Sequence, residues 1–266
     1  MVASLKEPSK FERIGDKTVK NLFGGWRDAI GYYRDLRPSN IASPRYRYLF
    51  LLLYWPFYGL IFGLVESKWP ALWEYITGEP LVFFEVVCPI DSWIPFCEWF
   101  VIPYYFWFAY IVGMLLYGLL FDRQTFRDCM YFIMLTYSAT MVIYLLWPNM
   151  QALRPETFER ENLFTWIVQR LYNFDTNTNV CPSIHVLGSM AVCLAGLRAP
   201  RLQHWGWKVF FHVSNLLICL STVFLKQHSI LDVFAALLLC AIAYPLAFYI
   251  IGRKQRASER LCVEKT

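Results

Sequence analysis

The residues in this chain best suited to chemistry fall in three short clusters. The most charged is Lys226-Gln227-His228-Ser229-Ile230-Leu231-Asp232, at the mouth of an otherwise apolar segment. His228 and Asp232 are four residues apart, so on a helix they share one face. A carboxylate placed there can bond one imidazole nitrogen and leave the other free as nucleophile or base. In a membrane helix the same pair can also be purely structural, each group satisfying the other. Two further clusters favour the chemical reading: Cys181-Pro182-Ser183-Ile184-His185 and, upstream, Leu153-Arg154-Pro155. Two histidines, an aspartate, an arginine, a lysine and a serine suit a phosphoryl group, whose non-bridging oxygens are bound by cations and hydroxyls. Pro182 is a good first-turn residue, and free backbone amides at a helix start make an anion site. One histidine can attack phosphorus while the other protonates the departing oxygen. No cluster of carboxylates or of Cys and His has metal-ligand spacing, so neither a metal nor another cofactor is expected.

The elements that must position these residues are membrane spans. Of the 266 residues, 57% are hydrophobic and only 17% charged, less polar than a soluble domain of this length. The apolar residues come in long blocks, which predicts an all-α, polytopic six-helix bundle. The spans are expected near Tyr48–Val65, Trp99–Leu120, Met130–Trp147, Pro182–Leu197, Val209–Leu225 and Ile230–Ile251. Residues 1–46 read as a cytoplasmic or interfacial lead-in without a cleavable signal peptide. Within it, Asn21–Arg34 mixes aromatic and basic residues that could lie on an anionic membrane surface or form a plain solvated tail. Residues 47–252 form the membrane domain, and 253–266 a basic tail. Residues 66–98, with four prolines and several acids, break the pattern as an interfacial or re-entrant segment. Cys88 and Cys97 could pair if they lie outside the cell. Most of the eight cysteines lie in apolar blocks, where a thiol is a small hydrophobe.

With six spans, twenty of the twenty-five Lys and Arg fall on the side of both termini. The positive-inside rule puts that side in the cytoplasm, and the basic residues flank apolar blocks rather than forming a nucleic-acid surface. Arg154, His185 and His228 all fall on the opposite, extracytoplasmic side. Scattered structural residues would share a side about a quarter of the time, so the coincidence points to one site. Short loops and basic flanks fit a bacterial plasma membrane.

The three clusters resemble the type 2 phosphatidic acid phosphatase superfamily, whose pattern is KxxxxxxRP, PSGH and SRxxxxxHxxxD. Arg154-Pro155 match the end of the first motif, Pro182-Ser183-Ile184-His185 the second with Ile for Gly, and Ser221, His228 and Asp232 the third. The resemblance spans about residues 100–250. It implies a six-helix membrane fold without a metal, with His228 as nucleophile forming a phosphohistidine, Asp232 orienting it, and His185 as general acid. Arg154 and Ser183 would bind phosphate. Two expected cations are missing, since the first-motif Lys falls at Trp147 and the third-motif Arg at Thr222. Lys226 stands two residues before the nucleophile as a substitute by position. These departures resemble the branch that includes sphingomyelin and inositol-phosphorylceramide synthases, which pass a phospho-headgroup to a lipid alcohol.

The expected function is therefore hydrolysis of a lipid phosphomonoester or pyrophosphate at the extracytoplasmic face. The alternatives are headgroup transfer to a lipid alcohol, and a non-catalytic scaffold or transporter on the same fold. The partners expected are a lipid phosphate and membrane lipids, not nucleic acid. Several residues are assigned humbler roles. His204 and His212 read as interfacial or packing residues, Asp91 as the cap of a short helix, and Asp175 as part of a turn-rich loop. Trp93, Trp99, Trp107 and Trp147 read as an aromatic belt.

Overall fold

The computed structural model describes residues 26–251 of the chain. The interfacial reading of Asn21–Arg34 lies partly, and the basic tail wholly, outside those residues. The described residues are mostly helical, with almost no strand. In chain order it comprises α1 (Trp26–Arg34), α2 (Tyr54–Thr77), α3 (Pro89–Trp93), α4 (Val101–Phe121), α5 (Arg123–Leu146), α6 (Leu163–Phe174), α7 (Ile184–Arg198), α8 (Trp205–Phe224) and α9 (Ile230–Pro245). Among the described residues, five stretches are long and apolar enough to cross a membrane: Arg47–Thr77, Glu98–Phe121, Arg123–Leu146, Trp205–Phe224 and Ile230–Ile251. The expected fourth span, α7, is a shorter apolar helix of 15 residues, about 22 Å long at 1.5 Å per residue. The chain is thus a multi-pass membrane protein of helical class.

Two expected boundaries move. Residues 66–77 do not break the first span: α2 continues through Pro70 and ends at Gly78. Pro70 withholds the N–H that the Glu66 carbonyl would accept, a loss that membrane helices tolerate. The end comes where Gly78 turns left-handed at φ 74°, its N–H bonding the Glu74 carbonyl. The loop expected at 121–129 shrinks to a single residue. Asp122 caps α5 by accepting from the Thr125 amide and hydroxyl, so the helix begins at once.

Helix α7 sits at the centre and packs against α4, α5, α8 and α9. Its residues from His185 to Gly196 are nearly all buried. The outer helices instead leave large apolar side chains uncovered, among them Leu60, Phe108, Leu116, Leu216 and Leu238. That inversion, a small-residue helix inside and apolar faces outside, is what hydrocarbon solvent permits. Close approach is bought with glycine. A Cβ at Gly118 would stand 2.7 Å from the backbone nitrogen of Phe126, and one at Gly188 2.9 Å from the Trp107 indole nitrogen. Polar connections cross the open end of the bundle. The two-residue strands β1 (Phe84–Glu85) and β2 (Asn149–Met150) pair in parallel, and Met150 bridges Thr178. Cys88 and Cys97, which could have paired, are free thiols.

The contact at Gly118 is backbone to backbone and has no flexible side chain to yield. Gly118→Ala should therefore destabilise the detergent-solubilised protein by about 1–3 kcal/mol. Gly113→Ala, one and a half turns earlier with nothing within 4 Å of its Cβ, should leave the unfolding temperature unchanged or slightly raised.

Candidate active site

His228 lies in the tight turn between α8 and α9, and its position follows from how α8 ends. Lys226 adopts a left-handed conformation at φ 53°, which folds the chain back so that the amides of Gln227 and His228 both bond the Thr222 carbonyl. Ser229 then starts α9 with a capping box: its hydroxyl accepts from the Leu231 amide, and Asp232 accepts from the Ser229 amide. The same Asp232 oxygen lies 3.0 Å from His228 Nδ1. One carboxylate thus fixes both the helix start and the imidazole. Asp232 is fully buried and His228 nearly so. The second imidazole nitrogen carries no protein hydrogen bond among the described residues.

His185 enters from the first turn of α7. Its ring centroid lies 5.9 Å from that of His228 and is flanked by Tyr104 at 4.4 Å and Trp107 at 4.5 Å. Trp107 is consequently not part of an aromatic belt: it is buried, whereas Trp93 and Trp99 are exposed. Ser183 precedes α7 with its hydroxyl buried and unpartnered, and no side chain caps the helix. The Ser183 amide donates to the Asp232 carbonyl, tying the two helix starts together. Histidines, hydroxyl and uncapped first-turn amides therefore converge on one spot, an arrangement able to hold an anion beside a nucleophile.

The two expected phosphate-binding cations are placed nearby but occupied. Arg154 donates from Nη1 to the carbonyls of Tyr172 and Asp175, and from Nη2 to the Thr176 carbonyl and the Gln227 amide oxygen. It also lies over the Tyr172 ring, and only its Nε, buried, lacks a partner. Burial draws its pKa down, with Asp175 opposing. Lys226 donates to the carbonyls of Asp91 and Ile94, and burial likewise lowers its pKa. In this state both cations hold loops. Trp147, where the resemblance leads one to expect a lysine, leans on Phe84. The Ser221 and Thr222 hydroxyls bond carbonyls of their own helix. His204 caps α8, and His212 is exposed.

Of the residues that build the site, the sequence reads Asp91 only as a helix cap and gives Asn149, Gln151 and Glu66 no role. Asp91 does cap its own short helix at the Cys88 amide, but it also accepts from the Ser229 hydroxyl and the Ile230 amide, clamping α3 to the start of α9. Asn149 holds the approach to the cis Cys181–Pro182 bond, accepting from the amides of Val180 and Cys181 and donating to the Cys181 carbonyl. Gln151 bonds the Lys226 carbonyl and the Leu153 amide. Glu66, at the middle of α2, accepts from Thr176, Thr178 and Asn179. The only advance signal was a polar residue at the edge of an apolar run. Comparison with known families, curated proteins and solved structures finds no match.

Asp91→Ala would strip the acceptor from three donors around α9. The expected cost is about 2–4 kcal/mol, read as a lower unfolding temperature in detergent. Asp91→Asn, which keeps one acceptor oxygen, should cost less.

Proposed function

We propose that the protein is an integral membrane lipid-phosphate phosphatase, which cleaves a lipid phosphomonoester or pyrophosphate through a phosphohistidine on His228. The observation that carries this reading is the paired-histidine geometry. Asp232 holds Nδ1 of His228 and so leaves Nε2 as the nucleophile, 5.9 Å by ring centroids from His185 at an uncapped helix start. The resemblance of the three clusters to type 2 phosphatidic acid phosphatases points the same way. In the first step the Nε2–P bond forms, the P–O bond to the lipid breaks, and His185 gives its proton to the departing oxygen. Asp232 stabilises the charge that develops on the His228 ring. Ser183 and the first-turn amides of α7 receive the phosphoryl oxygens. The site faces the extracytoplasmic side, with both termini in the cytoplasm, following the distribution of Lys and Arg. An amphiphilic substrate suits a site set at the end of a membrane bundle.

A second reading, transfer of the phospho-headgroup to a lipid alcohol, has an observation of its own. Arg154 and Lys226 are committed to carbonyl oxygens, and Trp147 and Thr222 bring no charge. A site this poor in free cations suits a singly charged phosphodiester better than a doubly charged monoester.

The test is phosphate release from a panel of lipid phosphates in detergent with EDTA, with and without ceramide or diacylglycerol. The expected result is release that falls by at least about 10³-fold in His228→Ala. Turnover only when a lipid alcohol is added would select the transferase reading. No turnover under either condition would remove both.

A further inference from the structure

The two histidines are held by different means. Asp232 bonds Nδ1 of His228. Nδ1 of His185 is buried without a partner, so no hydrogen bond at that nitrogen sets the angle of its ring. What lies against the ring is aromatic. Tyr104 stands 4.4 Å from it by centroids at an interplanar angle of 33°, and Trp107 stands 4.5 Å from it at 45°. Both residues belong to α4 and are three apart, so they share the face turned to the start of α7. Both are buried.

Each of these rings is itself fixed. The Tyr104 hydroxyl donates to Asp175 Oδ2 at 3.1 Å, and Arg154 in turn holds the Asp175 carbonyl. Trp107 fits against α7 because residue 188, three after His185, is glycine: a Cβ there would stand 2.9 Å from the indole nitrogen. Trp107 also meets Phe108 edge-on, at 4.8 Å and 76°.

We propose that Tyr104 and Trp107 are positioning residues for His185, doing by packing what Asp232 does for His228 by a hydrogen bond. The proposal rests on the reading given under Proposed function and deepens it. With Nδ1 enclosed, Nε2 is the nitrogen of His185 left to face the substrate. In the first step the bond from His228 Nε2 to phosphorus forms, the P–O bond to the lipid breaks, and the proton on His185 Nε2 goes to the departing oxygen. In the second step the acceptor O–P bond forms and the N–P bond breaks, its electron pair returning to His228. The acceptor proton then goes to His185 Nε2. One nitrogen therefore meets two oxygens in turn. Such transfers need heavy atoms about 3 Å apart, and a displacement of about 1 Å can slow them about 10²-fold. A ring without a hydrogen bond to orient it owes that precision to its neighbours.

The leaving group separates positioning from a merely structural role. An alkoxide must be protonated as it departs, whereas a nitrophenolate departs without help. The experiment measures phosphohistidine formation in single turnovers, in mixed micelles, from two radiolabelled esters of similar length: dodecyl phosphate and an alkyl-substituted nitrophenyl phosphate. It compares wild type with Trp107→Leu, Trp107→Phe, Tyr104→Leu, His185→Ala and His228→Ala. In Trp107→Leu, label from dodecyl phosphate should appear about 10²-fold more slowly. Label from the nitrophenyl ester should appear within about threefold of the wild-type rate. Once formed, the label should decay more slowly whichever ester supplied it, because His185 is the base of that step. Tyr104→Leu should give the same split, as should His185→Ala, and His228→Ala should take up no label from either ester. Trp107→Phe, which restores a flat ring, should recover most of the loss. Each leucine variant is a test by itself, so misfolding of one leaves the other. Formation slowed equally from both esters would overturn the proposal, since a distorted site spares neither. Formation unchanged from both would overturn it as well. If wild type takes up no label from either ester, the phosphatase reading fails and the proposal falls with it. A labelled wild type without the split in the leucine variants removes the roles of Tyr104 and Trp107 alone.

Discussion

Each buried N–H and C=O around His228 must find a partner, because the bundle that surrounds the site offers hydrocarbon and not water. That constraint explains why the polar side chains here spend so much of their bonding capacity on backbone. Asn149 serves the chain leading to Ser183, Gln151 serves the turn carrying His228, and Arg154 serves the end of α6. Asp232 serves the first turn of its own helix while gripping the imidazole. Remove the need to satisfy backbone, and few of these residues have a reason to be where they are. The histidines occupy a framework set by main-chain accounting.

Two kinds of information differ in how well a sequence carries them. Periodicity and spacing carry the helices and the His228–Asp232 pair, because a four-residue interval is a geometric statement on any helix. The pairing of His185 with His228 followed from counting spans, since an even or odd number of crossings decides which ends meet. What a donor will face is a different matter. Arg154 was readable as a cation near the site, but the carbonyls it caps belong to residues 18 to 22 positions away, and no spacing rule fixes that fold-back. Trp107 and Trp99 look alike as tryptophans near a helix end, yet one is buried on His185 and the other exposed. Glu66 stood at the edge of an apolar run and read as its end, whereas the helix passes through it.

The cations show the same economy from another side. A guanidinium with four of its five donors spent on carbonyls is a structural cap, and a lysine bridging two carbonyls is a strut. Both are charged for shape as much as for chemistry. Both keep their charge, but their donors are directed at loops, so the hydrogen-bonding capacity left unused beside the histidines is the Ser183 hydroxyl and the uncapped amides at the start of α7.

The shortness of α7 has a consequence for the lipid surroundings. A helix of about 22 Å cannot cover a hydrocarbon slab of about 30 Å, and its N-terminal end is the one at which Ser183 and His185 stand. Either the loops that flank α7 dip below the faces of the slab or the bilayer thins around it. Short-chained lipids, which bring the faces of the slab closer together, would match the length of α7, and long-chained lipids would strain the loops at its ends.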